Sequence, residues 1–222
     1  MNQKVKNALE NLFNTFSALE NVSGQAALNK LQPIFDGDED FMSKLMLMDQ
    51  VFDDFPQLDP IREITFDLLL INFFSEDTKK LDADYLDSPE WEKIEEETLD
   101  RGTELLNLLL YLKECEDEDI EPSLDDYLKE FLLVDEDEFQ DEHRIYEDII
   151  AHQILMESSL EEIARVSKNL PDHSEMRDLF YPLMAYFFET QPTKADLKKF
   201  QELSEDAAFD TAVLEMILGF QN

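Results

Sequence analysis

The segment DPIREITFDLLLINFF, residues 59–74, decides the fold. Asp59 followed by Pro60 is a helix-start signal, because aspartate caps free backbone N–H groups and proline is tolerated at the first helical position. Apolar residues then fall on nearly every side of the helix instead of along one stripe. Since a helix that is apolar all round is normally buried, the segment predicts a helix at the centre of the fold.

A second strongly apolar segment, FYPLMAYFF at residues 180–188, predicts the other central helix. Around these two, apolar residues spaced three and four apart predict amphipathic helices. The clearest stripes are Val5, Leu9, Leu12, Phe13, Phe16 and Leu19 near the N-terminus, and Phe209, Val213, Met216, Ile217 and Phe220 near the C-terminus. Strand-like alternation is absent, and the chain has only 4 glycines. We therefore predict one all-helical domain over residues 1–222, a globular bundle of about nine or ten helices without significant β-sheet.

Punctuating residues predict where the helices begin and end. Pro33 is expected to stop a short helix over residues 26–31, and Asp40 to precede the next one. Ser88 before Pro89 repeats the start signal, and cap signatures at Ser123, Thr193 and Ser204 predict three further starts.

Two longer segments contain fewer residues that signal the start or end of a helix. Residues 91–115 form either one long helix or two helices divided at residues 101–103, where Gly102 lies. Residues 138–169 have an apolar face that includes His152, and they predict one long amphipathic helix closed by Pro171.

The charge is extreme and uneven. The chain carries 54 acidic and 18 basic residues, a net charge of −36. Residues 81–148 hold 27 acidic and 5 basic residues, so this acidic middle segment alone contributes −22. Its densest runs are residues 114–121 and 135–138. Such a surface repels nucleic acids and anionic membranes and attracts a basic protein. A solvated face that only confers solubility, a metal site and adaptation to high salt are the alternatives.

Other features bound the class of protein. Cys115 is the only cysteine, so an internal disulfide and a thiol-ligated metal cluster are excluded, and a buried thiol is expected. The N-terminus lacks the apolar stretch of a signal peptide. The longest apolar run, residues 105–112, is far shorter than the roughly 20 residues that span a membrane. We therefore expect a cytoplasmic protein, with no prediction of its oligomeric state.

Most motifs that carry chemistry fail on spacing. Calcium loops begun at Asp36 or Asp135 lack the required glycine and terminal glutamate. His143, His152 and His173 are not preceded by the glutamate of a di-iron site, and we interpret His152 as a boundary histidine and His173 as a loop residue. Nucleophile motifs and glycine-rich phosphate loops are absent from the sequence, and no cofactor is predicted. The methionines near Phe41, which are Met42, Met46 and Met48, are interpreted as core residues.

One acidic constellation has a recognisable spacing. Glu92 and Glu95 are followed, after 18 intervening residues, by Glu114 and Asp117. This spacing is similar to that of the all-α nucleoside triphosphate pyrophosphohydrolases, in which two helices with paired carboxylates hold magnesium over a phosphate chain. The resemblance implies a magnesium site if the two pairs converge. On one straight helix the pairs would lie about 30 Å apart, which would exclude a shared site.

These observations support two hypotheses. The first is a non-enzymatic interaction or regulatory protein that presents the acidic middle segment to a basic partner, and it includes mimicry of nucleic acid. The second is a magnesium-dependent nucleotide pyrophosphohydrolase that uses Glu92, Glu95, Glu114 and Asp117. The first is favoured because no catalytic set is recoverable from the sequence.

Overall fold

The computed structural model describes residues 1–77, 89–98, 101, 104–130 and 145–221. These residues form twelve α-helices and no strand. The helices are α1 (Gln3–Glu20), α2 (Gln25–Asp36), α3 (Phe41–Asp54), α4 (Arg62–Asn72), α5 (Pro89–Thr98), α6 (Glu104–Glu118), α7 (Leu124–Glu130), α8 (Glu147–Ala151), α9 (Leu160–Ser167), α10 (Arg177–Phe188), α11 (Lys194–Leu203) and α12 (Ala207–Gln221). The all-α prediction is confirmed, with slightly more helices than expected. Within the described residues, no helix combines the length and apolar character needed to cross a membrane.

Three helices form the centre of the molecule. All residues of α4 from Ile64 to Asn72 are buried, as are those of α10 from Leu179 to Phe187, which confirms both central segments. The third is α12, which is buried along most of its length and packs on α1, α10 and α11. Burial of these apolar helices provides the main driving force for folding.

The first and last helices form the most extensive helix pair. The predicted stripe of α1 is buried from Val5 to Phe16, whereas Leu19 is exposed. Gly219 of α12 lies so close to α1 that a Cβ atom there would be 2.6 Å from Asn11 Nδ2 and 3.2 Å from the backbone oxygen of Asn7. Asn11 Nδ2 donates a hydrogen bond to the Glu215 carbonyl at 3.0 Å, which fixes it against α12.

The expectation that Pro33 stops α2 is wrong. The helix continues through Pro33 to Asp36. Proline removes the hydrogen bond to the carbonyl of Asn29, but Asn29 is exposed, so water can satisfy that oxygen.

The single long helix predicted over residues 138–169 is also wrong in its described part. Residues 145–169 contain α8, a 3₁₀ helix at Gln153–Glu157 and α9, while residues 138–144 lie outside the described residues. Two serines explain the break, because their side chains bond the backbone locally and compete with helix continuation. The Ser158 hydroxyl donates to the Leu155 carbonyl at 2.8 Å, and Ser159 caps α9 through the N–H of Glu162.

The other helix starts follow the sequence closely. Asp40 caps α3, and Thr193 forms both bonds of a capping box with Asp196. At α7 only half of the box forms, because the Ser123 N–H donates to the Tyr111 hydroxyl at 2.9 Å.

Two predicted starts are displaced. Asp59 does not cap the central helix, because a 3₁₀ helix at Pro56–Ile61 precedes α4 and the Asp59 carboxylate pairs with Arg62. Ser204 ends α11, and Asp206 caps α12 by accepting from the N–H of Phe209.

The burial of the cysteine, histidine and methionine side chains agrees with the sequence-based interpretation at most positions. Cys115 is buried, His152 is partly buried with Nδ1 2.7 Å from the Asp148 carbonyl, and His173 lies in an exposed loop, all as expected. Met48 belongs to the core, but the expectation that Met46 does so is wrong, since it is 57% exposed. His143 lies outside the described residues.

Candidate functional site

The four carboxylates of the magnesium hypothesis lie on two separate helices. Residues 91–115 do not form one helix, because α5 ends at Thr98 and α6 begins at Glu104. The two carboxylate pairs are therefore not separated by the length of one continuous helix. Glu92, Glu114 and Asp117 are exposed, and the side chain of Glu95 lies outside the described part of the molecule.

The two helices have different neighbours. Trp91 of α5 packs on Phe74, with ring centroids 5.2 Å apart, whereas Glu116 of α6 pairs with Lys4 of α1 at 3.0 Å. Among the described side chains, no group of three or more Asp, Glu, His or Cys residues is placed to hold a metal ion. A single straight helix, which would have excluded a shared magnesium site, is thus not present. The described carboxylates nevertheless do not form a metal-binding group.

The acidic runs of the middle segment are described in part. The run at residues 114–121 forms the exposed end of α6 and the turn after it, and the run at 135–138 lies outside the described residues. Carboxylates at the end of a helix face the negative pole of its dipole, which is unfavourable. This run therefore does not serve to stabilise α6.

A second group of carboxylates, seven in number, lines a cleft of about 640 Å³. We call it the acidic cleft. Its apolar wall contains Ile64, Leu179 and Phe209. Its acidic side chains are Glu63, Glu104, Glu175, Asp178, Glu205, Asp206 and Asp210. Arg177 is the only cationic side chain that lines the cleft in the described structure.

The acidic cleft arises because the N-termini of four helices meet there. Glu63, Glu104, Asp178 and Asp210 lie in the first turns of α4, α6, α10 and α12, respectively. Acidic residues are favourable in a first turn because the helix dipole is positive at that end. Their placement therefore has a structural explanation for each helix taken separately.

Helix dipoles do not neutralise the cleft as a whole. Four N-termini contribute together roughly two positive charges. Seven carboxylates and one arginine give a formal charge of −6 when every group is ionised. The pairing of Glu63 with Arg101 and protonation of Asp210 reduce this to about −4, of which the dipoles offset about half. Arg177 is also engaged elsewhere, since its guanidinium donates to the Leu170 carbonyl at 2.5 Å and lies 3.1 Å from Asp172. A net negative field remains.

Six of the seven cleft carboxylates have no cationic partner within the described ranges. Asp206 and Asp210 accept hydrogen bonds from the Phe209 N–H and the Ser204 hydroxyl, respectively. The other four are Glu104, Glu175, Asp178 and Glu205, the last three of which are exposed. By contrast, Glu63 lies 3.1 Å from Nε of Arg101. Burial nevertheless raises the pKa of Glu63, and the nearby Arg101 opposes this shift.

Asp210 is the most buried carboxylate that lines the cleft, with 7% of its surface exposed. Burial raises its pKa to about 7, and the nearby carboxylates Asp206 and Asp178 add to the shift. The Ser204 hydroxyl donates a hydrogen bond to Asp210 Oδ2 and opposes it. Asp210 thus holds a proton over part of the neutral range, when no cation is bound nearby.

A buried carboxyl lies one helical turn beyond Glu63 on α4. Asp67 is only 1% exposed, and burial together with the charge of Glu104 raises its pKa well above the usual range. Its Oδ1 accepts no hydrogen bond in the described structure. Asp67 therefore resists ionisation more strongly than an exposed aspartate does.

Sequence reasoning missed the acidic cleft. Of its seven carboxylates, only Glu104 belongs to the acidic middle segment. The usable signal was the acidic residue in the first turn of each helix, but nothing in the sequence indicates which N-termini meet. The comparisons add no relative, since no protein-family model, curated protein or solved structure matches this chain.

Proposed function

We propose that the protein is a non-enzymatic interaction protein that binds a basic partner in the acidic cleft. The observation that supports this proposal is the residual negative charge of the cleft, which exceeds what its helix dipoles and Arg177 offset. Unpaired carboxylates around a concave surface attract lysine and arginine side chains and accelerate their association.

The walls of the cleft suit a peptide segment. Ile64, Leu179 and Phe209 offer apolar surface to the stems of lysine or arginine, while the surrounding carboxylates receive the charged heads. The same charge disfavours nucleic acid and anionic membranes as direct ligands.

Binding of a lysine nonapeptide, blocked at both ends, tests the proposal. In the first variant Glu175, Asp178 and Glu205 are replaced by their amides. In the matched control Glu114, Asp117 and Glu118 at the end of α6 are replaced likewise, so both variants lose three negative charges. We expect the cleft variant to weaken binding about tenfold or more, and the control less than threefold.

Isothermal titration calorimetry at two salt concentrations provides the readout. Binding should weaken as salt increases, because exposed charges are screened. Equal losses in the two variants would show that the peptide senses only the total charge and would refute the cleft as the site. A larger loss in the control would instead locate binding at the acidic middle segment.

The alternative function remains a magnesium-dependent nucleotide pyrophosphohydrolase. The break between α5 and α6 is the observation that favours it, since two helices rather than one carry the paired carboxylates. This alternative predicts heat of magnesium binding in calorimetry and its loss in Glu92→Gln. An absence of magnesium binding by the full chain would eliminate it.

A further inference from the structure

An apolar pocket of about 170 Å³ opens between the start of α9, the end of α10 and α11. We call it the apolar pocket. Its walls contain Leu160, Ala185, Phe188, Leu197, Phe200 and Leu214. A cavity of about 150 Å³ with similar walls is large enough to hold benzene, so this pocket has room for one leucine or phenylalanine side chain.

The walls of the apolar pocket are held in place by contacts on either side. The Phe200 ring stacks on Tyr181 with centroids 4.3 Å apart, and the Tyr181 hydroxyl donates to the Phe200 carbonyl at 3.1 Å. Lys199 of α11 pairs with Glu161 of α9 at 2.8 Å, which ties the two helices together beside the opening. The pocket is thus preformed, which lowers the entropic cost of binding.

The charged rim indicates what kind of segment would carry the side chain. Glu189 lines the pocket, is exposed and has no cationic partner among the described residues. Asp196 also lines it, but its carboxylate accepts hydrogen bonds from Thr193, and these bonds together with the charge of Lys199 lower its pKa. Lys199 itself is paired with Glu161. A second copy of this chain is disfavoured as the occupant, because each copy carries −36. Charge complementarity therefore selects a segment with basic residues beside its apolar side chain.

We propose that the apolar pocket anchors one leucine- or phenylalanine-sized side chain of a partner, flanked in that partner by basic residues. This inference rests on the proposed function in one respect, which is that the partner is basic. The inference adds that affinity for the partner does not depend on electrostatic attraction alone, because a buried apolar side chain contributes affinity that salt does not screen.

Two blocked nonapeptides test the inference, one with four lysines on each side of a central leucine and one with serine in place of that leucine. We expect the leucine peptide to bind the native protein about tenfold more tightly, as burial of a leucine side chain permits. In Leu197→Trp, which fills the pocket, both peptides should bind with the affinity of the serine peptide. Circular dichroism checks that the variant is folded.

Methyl resonances of Leu160 and Leu214 in the native protein give a second readout that does not depend on a variant. They should shift with the leucine peptide and not with the serine peptide. Equal affinity of the two peptides for the native protein would overturn the inference while leaving the proposed function in place. If neither peptide bound, both the inference and the proposed function would be overturned.

Discussion

Replacement of Gly219 by leucine is expected to lower the free energy of unfolding by about 3 kcal/mol. A Cβ atom at this position would already lie 2.6 Å from Asn11 Nδ2 and 3.2 Å from the Asn7 carbonyl oxygen. Leucine must therefore push α1 away from α12 or displace Asn11. Displacement also breaks the hydrogen bond from Asn11 to the Glu215 carbonyl.

Gly37→Leu is the matched control. Its Cβ atom would clash with Glu39 Oε2, but that side chain is exposed and can move away. The Cβ atom would also lie 3.3 Å from the Pro33 backbone oxygen, so a close backbone contact is common to both glycines and the clash with Asn11 is what distinguishes Gly219. We expect a change of less than about 1 kcal/mol. Chemical denaturation of both variants measures the difference, and similar losses at the two glycines would contradict a close α1–α12 contact.

The second large expected effect is an increase in stability. Asp210→Asn is expected to raise the free energy of unfolding at pH 8 by up to about 4 kcal/mol. The reason is that the buried carboxylate must ionise in the folded state at a pKa of about 7, whereas the unfolded chain ionises it near the ordinary aspartate value of about 3.9. Asparagine keeps an oxygen that can accept from the Ser204 hydroxyl, without the charge.

The pH dependence gives the sign of this effect. Below about pH 4 the carboxyl is protonated in both states, so its raised pKa costs nothing and the variant should gain nothing. The cost to the native protein grows as the pH rises from about 4 to 7 and is constant above that. Thermal unfolding of the variant and the native protein at pH 4, 6 and 8 measures the gap.

Glu205→Gln serves as the control for Asp210→Asn, because Glu205 lines the same cleft but is exposed. We expect it to change stability by less than about 0.5 kcal/mol at each pH. A gain for Asp210→Asn that was as large at pH 4 as at pH 8 would rule out ionisation as its cause.

Local patterns in the sequence predict the helices well, because each depends on residues close together in the chain. The apolar parts of the two central segments, residues 64–72 and 180–187, are buried as expected, and Asp40 and Thr193 cap their helices. The errors arise where two local preferences compete. At Ser158 side-chain bonding to the backbone ended the helix, whereas at Pro33 the helix outlasted the lost hydrogen bond.

The acidic cleft was not predictable for a different reason. Glu63 and Asp210 are 147 positions apart, and each has a sufficient local explanation as a first-turn acid. Only tertiary packing brings their helix N-termini together. The acidic middle segment is conspicuous in the sequence because its charges are consecutive, whereas the charges of the cleft are scattered along the chain.

The pairing of α1 with α12 has a consequence for synthesis. About 200 residues separate the two helices, and ribosomes add about 5–20 residues per second, so α1 waits roughly 10–40 s for the helix that covers it. During that interval the buried face of α1, which includes Leu9 and Leu12, has no access to α12, although α2 and α4 also pack on α1 and can cover part of it sooner. The nascent chain therefore exposes part of an apolar helix face, which invites aggregation. The acidic surface, by keeping nascent chains apart, counters that risk.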